Sequence, residues 1–414
     1  MLTTFSVQLA RLLRQKMDCL VGADTEVRRR IVVRSLDELG LAEYERAFGH
    51  AKPVTPAMLR KLLRDAASDE DSGAHSLDFL VSEWNEVVDA WQLDTWEAYR
   101  DVARLGRRTR LPESRRRALW DVFERVRQSL QSQGLVTAAM VFGALTSHAS
   151  TGEHAPADHV VVDEAQDVSV PQLRYLAAIA GGRPNGLFFA GDVGQQIFRT
   201  PFSWVSLGVD VRGRSQTLRV NYRTSHQIRR RADLLLDRVL SDVDGASEDR
   251  SGTVSVLSGP EPEVFLAESA EREAGAIGEW IRARLQDGVR PTEVLVVVRS
   301  PEEMPRAKTA AKAAGFEGVE LRSDGVQPEN TIALCTMHEA KGLEFRAVVV
   351  AACDDEVVPS QARISSVTDG ADLQAVYETE RHLLYVACTR ARDHLLVTAV
   401  EPASEFLDDL RAEQ

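Results

Sequence analysis

The sequence predicts an α/β protein in which a mainly helical N-terminal region precedes parallel β-sheets. Three observations support this fold class: helical periodicity in the first 150 residues, short apolar runs after residue 159, and segments of helical pattern between those runs. Near-continuous apolar strands that alternate with helices are typical of parallel sheets covered on both faces. At 414 residues, 44% of them hydrophobic and 27% charged, the chain is long enough for two or three globular domains.

The mainly helical region is predicted over residues 1–150. Thr55 resembles an N-cap, and Pro56 after it suits the first helical position. The stretch LPESRRRALWDVFERVRQSLQSQG has apolar side chains at helical spacing, and Gly134 ends it. The side chains predicted to share one face are Leu119, Val122, Phe123, Val126 and Leu130.

Strands are predicted from the apolar runs that begin after His159. They cover residues 160–162, 187–190, 217–220, 294–298, 331–336, 347–352 and 394–400. We therefore expect the remainder of a first sheet domain in residues 151–228. A second, compact sheet domain is expected in residues 229–414.

Charge and cysteine spacing exclude some classes of protein. A formal net charge of −13 argues against a protein that coats nucleic acid indiscriminately. Any site that binds nucleic acid must therefore be a local basic track. Candidate tracks are Arg104, Arg107, Arg108 and Arg110, then Arg115 to Arg117, then Arg229 to Arg231. For any single track we favour the alternative, a solvated helix face. None of the four cysteines has CxxC spacing, so neither a zinc site nor a disulfide framework is indicated.

No membrane or secretion signal is evident in the sequence. No apolar run approaches the ~20 residues of a membrane span, and the first 20 residues lack the pattern of a signal peptide. We therefore expect a cytoplasmic protein with no membrane partner.

The stretch HVVVDEAQD, residues 159–167, is the first that indicates chemistry. An apolar strand delivers Asp163 and Glu164 at its carboxyl end, where open α/β sheets bind ligands. Two adjacent carboxylates can hold Mg²⁺ and orient a water for attack on a phosphate. The alternative is that both acids cap a helix opened by Ser169 and Pro171.

Four further stretches follow in order and strengthen the first interpretation. They are GDVGQQIF (191–198), LRVNYRTSHQI (218–228), TMHEAKGLEFRAVVV (336–350) and ETERHLLYVACTRARDHLLV (378–397). Together with DEAQD, the set resembles motifs II to VI of the UvrD, Rep and PcrA group of superfamily 1 DNA helicases. The resemblance implies two RecA-like parallel-sheet domains, the first of them incomplete. It also implies ATP hydrolysis with Mg²⁺ that drives 3′ to 5′ movement on single-stranded DNA or at single/double-strand junctions.

The resemblance assigns roles on the acidic side of an ATP site. Asp163 would hold Mg²⁺, and Glu164 would be the general base that positions the attacking water. Gln166 and Asp167 would link this loop to neighbouring motifs. Gln195 would sense the γ-phosphate and couple it to the DNA-facing loop.

The resemblance assigns further nucleotide contacts to the second domain. Arg223 and Arg390 would contact the γ-phosphate as arginine fingers, a role that suits a permanently charged guanidinium. Tyr222 would stack on the adenine base, and Glu344 would accept from the ribose hydroxyl. The alternatives are a structural ion pair for Arg390 and a core position for Tyr222.

The DNA side departs from the family pattern. Thr336 and His338 match positions beside DNA phosphate, with a structural role as the alternative. Phe198 is aromatic, as is the matching residue of the family. The Trp-Arg-Gly that commonly follows in the family is replaced here, because residues 199–204 read RTPFSW. Phe202 or Trp204 must then supply any platform for base stacking, which requires only a π face.

Two features of the family are missing from the sequence. No GxxxxGK[ST] phosphate loop occurs, and the stretch between Arg223 and Thr336 is too short for a large insertion in the second domain. We therefore expect weak ATP binding by the chain alone. A partner polypeptide or a longer reading frame could supply the loop. The alternative function is a non-catalytic nucleic-acid-binding or regulatory subunit with a helicase-like fold.

Overall fold

A computed structural model describes the protein in two compact units. The residues outside its description are 68–75, 103–110, 152–155, 181–182, 193–201, 238, 242–246, 250–251, 322–326, 366–369 and 412–414. Unit 1 contains the described residues up to Gly213, and unit 2 contains those from Arg214 onward. The division falls before the boundary of 228/229 that the sequence suggested, so the NYR segment belongs to unit 2.

Unit 1 is built on a four-stranded parallel sheet. Its strands are β1 (Leu2–Thr4), β2 (Val33–Ser35), β3 (Val160–Asp163) and β4 (Leu187–Phe189). They lie in the order β2–β1–β3–β4, so the strand that ends at Asp163 is internal. β1 and β2 come from the region expected to be mainly helical, and three residues are too few to show a strand pattern in the sequence.

Helices form most of the rest of unit 1. They are α1 (Val7–Val21), α2 (Thr25–Arg30), α3 (Leu36–Phe48), α4 (Pro56–Ala67), α5 (Leu77–Glu83), α6 (Trp96–Asp101), α7 (Glu113–Gln133), α8 (Ala138–Ala149) and α9 (Val170–Ala180). The prediction for α7 is confirmed, because all five apolar side chains are buried and Gly134 ends the helix at a φ of 64°. The start of α4 is also confirmed: the Thr55 hydroxyl accepts a hydrogen bond from the Met58 amide at 3.2 Å.

The described residues of unit 1 form two apolar cores. One lies among α4 to α7 and the π-helical turn Trp84–Val88, where Trp84, Tyr99 and Phe123 are almost fully buried. The other lies between the sheet and helices α3, α8 and α9, with Val160 and Val162 of β3 at its centre. The second core fixes the position of β3 and of the acids that follow it.

Unit 2 is built on a six-stranded parallel sheet. The strands of the unit are β5 (Val220–Asn221), β6 (Val239–Ser241), β7 (Ser247–Asp249), β8 (Val254–Ser255), β9 (Glu263–Ala267), β10 (Val294–Val298), β11 (Glu317–Glu320), β12 (Thr331–Thr336), β13 (Phe345–Val350) and β14 (Ala391–Val400). The six lie in the order β11–β12–β10–β13–β14–β9, while β5 pairs with β8 and β6 with β7. Every residue of β10 is fully buried, as expected of a central strand covered on both faces.

In the part of unit 2 that the structure describes, six α-helices accompany the strands. They are α10 (His226–Ala232), α11 (Ala270–Gln286), α12 (Met304–Ala314), α13 (Gln361–Ser365), α14 (Gly370–Cys388) and α15 (Phe406–Arg411). The predicted α/β class with parallel sheets is confirmed in both units. Among the described residues, no helix is both long and apolar enough to cross a membrane.

Candidate nucleotide site

The acidic pair stands at the carboxyl end of β3, at the rim of the sheet. Both residues are half-buried, and the Glu164 amide donates a hydrogen bond to Asp163 Oδ1 at 3.0 Å. Glu164 has a φ of 54°, in the left-handed region that a residue with a Cβ seldom adopts. Such backbone conformations cost about 1–3 kcal/mol and concentrate at functional sites.

Gln166 connects the glutamate to the loop that follows β4. Its Nε2 donates to Glu164 Oε2 at 2.5 Å, and its Oε1 accepts from the Asp192 amide at 3.1 Å. A Cβ added at Gly191 would lie 2.4 Å from the same Oε1, so this close approach requires glycine. Gln166 therefore holds the glutamate carboxylate next to Gly191 and Asp192. Asp167 is fully buried in the turn Ala165–Asp167.

The alternative role for the acids, capping α9, is taken by other side chains. The Gln172 amide donates to Ser169 Oγ at 3.4 Å, and the Ser169 amide donates to Gln172 Oε1 at 2.8 Å. This reciprocal pair closes the start of α9. Asp163 and Glu164 are not needed as its cap.

In unit 2, two arginines predicted to act together converge on one carbonyl oxygen. Arg223 follows β5 in a turn where its amide donates to Asn221 Oδ1 at 2.8 Å. Its Nη2 donates to the Leu343 carbonyl, and Arg390 Nη1 donates to the same oxygen at 3.4 Å. The structure thus brings the NYR, HEAKGLEF and CTRA segments together within unit 2.

The two arginine side chains differ in how deeply they are buried. Arg390 is only 1% exposed, and its Nε donates to the Val386 carbonyl of α14 at 2.9 Å. The Arg223 side chain is 35% exposed and lies 3.3 Å from Glu344 Oε2. Tyr222 is 73% exposed, which excludes the core position that was its alternative and leaves its ring accessible for stacking.

Two of the predicted residues, Gln195 and Phe198, lie outside the described residues. Phe202 and Trp204 are half-buried and pack against the core of unit 1. The Trp204 ring meets the Phe189 ring edge-on, with 4.7 Å between centroids. At least part of each ring is therefore used in packing, and their role in base stacking stays a prediction.

Thr336 and His338 lie at the carboxyl end of β12. Thr336 Oγ1 and the Thr336 amide both donate to Glu339 Oε2 at 2.9 Å, which fixes the turn. Burial, aided by the charge of Arg299, lowers the pKa of His338 to about 4. The ring is uncharged at neutral pH, so any contact with DNA phosphate there would be a hydrogen bond between neutral imidazole and phosphate.

A buried ion pair near His338 is a feature that sequence reasoning missed. Arg299 Nε and Nη2 donate to the two carboxylate oxygens of Glu380 at 2.6 Å each, and Arg363 Nη1 reaches the same carboxylate at 3.0 Å. Burial opposes ionisation of Glu380, but the hydrogen bonds and charge of Arg299 hold its pKa below the usual value. The signal available in the sequence was Arg299 itself, a charged residue directly after an apolar strand.

Most arginines in the basic tracks that the structure describes lie close to a carboxylate. Arg229 lies 3.1 Å from Asp233, and Arg230 and Arg231 lie 2.5 Å and 3.7 Å from Glu261. Arg117 lies 3.3 Å from Asp121 one helical turn away. These pairs favour the alternative of solvated helix faces. Arg104, Arg107, Arg108 and Arg110 lie outside the described residues.

The donor set at the acidic pair fits a Mg²⁺ ion that arrives with a nucleotide. Among the described residues, no cluster of three or more His, Cys, Asp or Glu side chains could hold a metal by itself. Mg²⁺ is usually bound by one or two protein carboxylates together with phosphate oxygens and waters, and Asp163 can provide such a carboxylate. What the sequence does not contain is a GxxxxGK[ST] loop to hold the phosphates.

Comparison with known proteins identifies the same family in both units. A family model described as the UvrD/REP helicase N-terminal domain matches residues 46–201, and one described as the UvrD-like helicase C-terminal domain matches residues 311–402. Together these ranges cover more than half of the 414 residues.

Individual relatives agree with the family models. A probable DNA helicase of Mycoplasma pneumoniae is 28% identical over 59% of this chain and 44% of its own length. DNA helicase II of Escherichia coli is 31% identical over 32% of this chain and 17% of its own length. The matches thus span less than half the length of these relatives. The C-terminal domain of a possible DNA helicase from Lactobacillus plantarum aligns with 46% of this chain and 94% of its own, at 21% identity and a TM-score of 0.32, too low to support an argument. On the family models and these relatives, the chain belongs to the UvrD-like DNA helicase family.

Proposed function

We propose that the protein is the larger part of an ATP-dependent DNA helicase or translocase that moves 3′ to 5′ on single-stranded DNA, and that it acts with a phosphate loop from outside these 414 residues. The observation that carries the proposal is the meeting of Arg223 and Arg390 at the Leu343 carbonyl, with Glu344 beside them. A protein that only binds nucleic acid has no need of two converging guanidinium groups at the HEAKGLEF segment.

The residues of unit 1 suit the binding of Mg²⁺ and the activation of the attacking water. The Asp163 carboxylate would hold Mg²⁺, which neutralises charge on the phosphates when it is bound. Glu164, held by the Gln166 amide group, would accept the proton of the attacking water. Gln195 would couple the state of the nucleotide to the DNA-facing loop.

The residues of unit 2 suit further contacts with a nucleotide. Arg223 and Arg390 would stabilise the negative charge that develops on the transferred phosphoryl group. Tyr222 would stack on the base, and Glu344 would exchange its ion pair with Arg223 for a ribose hydroxyl. Thr336, His338, Phe202, Trp204 and Phe198 are the candidates for contacts with single-stranded DNA or a junction.

The alternative is a regulatory or nucleic-acid-binding subunit that does not hydrolyse ATP. The absence of GxxxxGK[ST] from the sequence favours it, because backbone amides and a lysine normally hold the β- and γ-phosphates. The alternative predicts no turnover even when a phosphate loop is provided.

Steady-state ATP hydrolysis separates these functions. We would measure turnover with and without single-stranded DNA, for the 414-residue chain and for a form extended by the phosphate-loop segment of a longer family member. We expect little turnover by the chain alone and DNA-stimulated turnover by the extended form. Glu164→Gln should lower the latter at least ~100-fold, the scale of general base catalysis.

The matched control is Glu124→Gln, because Glu124 lies on an exposed face of α7. It should leave turnover unchanged. Strong turnover by the 414-residue chain alone would contradict the need for an outside loop, and an inactive extended form would favour the regulatory alternative.

A further inference from the structure

One stretch of unit 1 is basic although the chain as a whole is acidic. Residues 11–34 contain seven basic side chains and three acidic ones, whereas the formal net charge of the 414 residues is −13. They lie on α1, on α2 and on β2, the strand at one edge of the sheet. All seven basic residues are exposed: Arg11, Arg14, Lys16, Arg28, Arg29, Arg30 and Arg34. None of them is among the residues proposed to contact ATP or DNA.

Most of this positive charge is not neutralised within the protein. Among the described residues, only Arg28 of these seven forms an ion pair, with Asp18 at 2.9 Å. The carboxylate of Asp24 caps α2 instead, because it accepts from two backbone amides of that helix at 3.1 Å and 3.0 Å. Arg229 to Arg231 differ, since each of them lies near a carboxylate. The basic residues of α1, α2 and β2 therefore produce a local positive field.

A groove of about 170 Å³ lies between α1, α2 and β2, among these charges. Its wall on α1 has the spacing of one helical face and consists of Arg14, Met17, Asp18 and Val21. The other wall consists of Arg28, Ile31 and Val33. The four apolar side chains are half-buried or buried, so the groove has an apolar floor and two arginines at its rim.

The guanidinium group of Arg14 is fixed in position at this groove. Its Nε and Nη2 donate to the Val33 carbonyl at 3.3 Å and 2.8 Å. A carbonyl is uncharged, so this contact orients the guanidinium without neutralising it. The remaining N–H groups can donate to a ligand, and a planar guanidinium suits a carboxylate.

The groove and the acidic pair lie at opposite rims of the sheet. Helix α2 ends at Arg30, just before β2 begins at Val33, so the groove is near the amino end of β2. Asp163 is at the carboxyl end of β3. Because β2, β1 and β3 run parallel, a ligand in the groove would leave the rim of Asp163 open.

We propose that the groove between α1, α2 and β2 binds an acidic segment of a partner protein. One large apolar side chain of that segment enters the groove, and its carboxylates pair with Arg14 and with the arginines at the rim. Clusters of arginine commonly recognise acidic motifs. Leu20, one turn beyond Met17 on α1, is 81% exposed and offers a further apolar contact.

The composition of the groove favours an acidic peptide over a nucleic acid. The described residues that line it include no aromatic side chain on which a base could stack. The phosphates and sugars of a nucleic acid backbone have no apolar group to fill the floor formed by Met17, Val21 and Ile31. A peptide supplies both the negative charge and the apolar side chain.

Fluorescence anisotropy tests the groove without ATP or DNA. The probe is a labelled peptide in which aspartates flank a single phenylalanine. A second peptide has serine in place of the phenylalanine, and a third has lysines in place of the aspartates. We expect saturable binding of the first peptide by the 414-residue chain and at least ~10-fold weaker binding of the second, the scale of burying one phenylalanine. The third should not bind.

Matched substitutions identify the surface involved. Arg14→Gln should weaken binding of the first peptide at least ~10-fold, the scale of a hydrogen bond between charged groups. Arg28→Gln should have the same effect, and since its side chain is 57% exposed and does not hold β2, it serves if Arg14→Gln fails to fold. The control is Arg115→Gln, at an exposed position on α7, which should leave binding unchanged. Circular dichroism of each variant checks its folding.

Four outcomes would overturn the proposal. The first is no binding of the acidic peptide at up to ~1 mM, and the second is equal affinity for the phenylalanine and serine peptides. The third is binding that neither Arg14→Gln nor Arg28→Gln weakens. The fourth is displacement of the peptide by an oligonucleotide that binds more tightly at the same salt concentration, which would assign the surface to nucleic acid. Light scattering tests the remaining occupant, because self-association that Arg28→Gln abolishes would assign the groove to a second copy of the chain.

Discussion

At the scale of single residues, Glu164 combines a proposed role as general base with an unfavourable backbone conformation. The sequence DEAQD predicted its carboxylate, but the φ of 54° depends on contacts that form only in the folded sheet, such as the Ala165 amide donating to the Ala190 carbonyl at 2.9 Å. The clustering of Arg223 and Arg390 at Leu343 likewise joins residues far apart in sequence. Motif order selected these candidate residues, and tertiary contacts decide what each one touches.

Glycine at position 164 should relieve the backbone while it removes the carboxylate. We expect Glu164→Gly to be about 1 kcal/mol more stable than Glu164→Ala, because only alanine keeps the Cβ at positive φ. Both variants should fail to hydrolyse ATP when a phosphate loop is provided. Urea denaturation of unit 1 measures the difference, and an alanine variant as stable as the glycine variant would show that position 164 is not strained.

His338 should make the stability of unit 2 depend on pH. Its pKa is about 4 when folded and 6.5 in the unfolded reference, so the unfolded chain binds the extra proton. The stability is therefore complete above pH 6.5 and is lost as pH falls toward 4. The free energy of unfolding should fall between pH 7.5 and pH 5. This fall should be about 2 kcal/mol larger for the unsubstituted protein than for His338→Gln. Denaturant titrations at both pH values measure it, and equal losses would contradict the burial of the imidazole.

At the scale of elements, the central strands were predictable and the edge strands were not. The runs at 294–298, 331–336 and 347–352 match β10, β12 and β13 closely, because buried parallel strands are apolar throughout. β9 and β11 lie at the two edges of that sheet and were not predicted: β11 begins and ends with glutamate, and β9 has an apolar run of only four residues, 264–267. The predicted strand 217–220 shrinks to Val220–Asn221, and Leu218 before it is 87% exposed.

The Arg299–Glu380 pair connects β10 to α14 and should be important for the stability of unit 2. Arg299→Met leaves a fully buried carboxylate with only its contacts to Arg363 and the Ser360 amide. We expect a loss of about 3 kcal/mol, since removal of one partner uncovers a buried charge. Arg290→Met, at a 75% exposed arginine paired with Glu293, is the control and should cost less than about 1 kcal/mol. Thermal unfolding of both variants measures the two losses of stability. Equal losses would refute the importance of the Arg299–Glu380 pair for the stability of unit 2.

At the scale of the whole molecule, the residues proposed to act on ATP are divided between the two units. Asp163, Glu164 and Gln166 belong to unit 1, whereas Arg223, Glu344 and Arg390 belong to unit 2. The division into two parallel-sheet units follows from the strand pattern. The boundary differs because the NYR segment, with little apolar signal, pairs with β8 of unit 2. The sequence itself contains no GxxxxGK[ST] phosphate loop.

The most direct test of the account is the turnover of ATP, with single-stranded DNA, by the chain completed with a phosphate-loop segment and by its Glu164→Gln form. We expect DNA-stimulated hydrolysis by the completed chain, hydrolysis at least ~100-fold slower by the variant, and almost none by the 414 residues alone. Equal turnover of the completed chain and its Glu164→Gln form would contradict the claim that Glu164 is the general base of an ATP-driven motor.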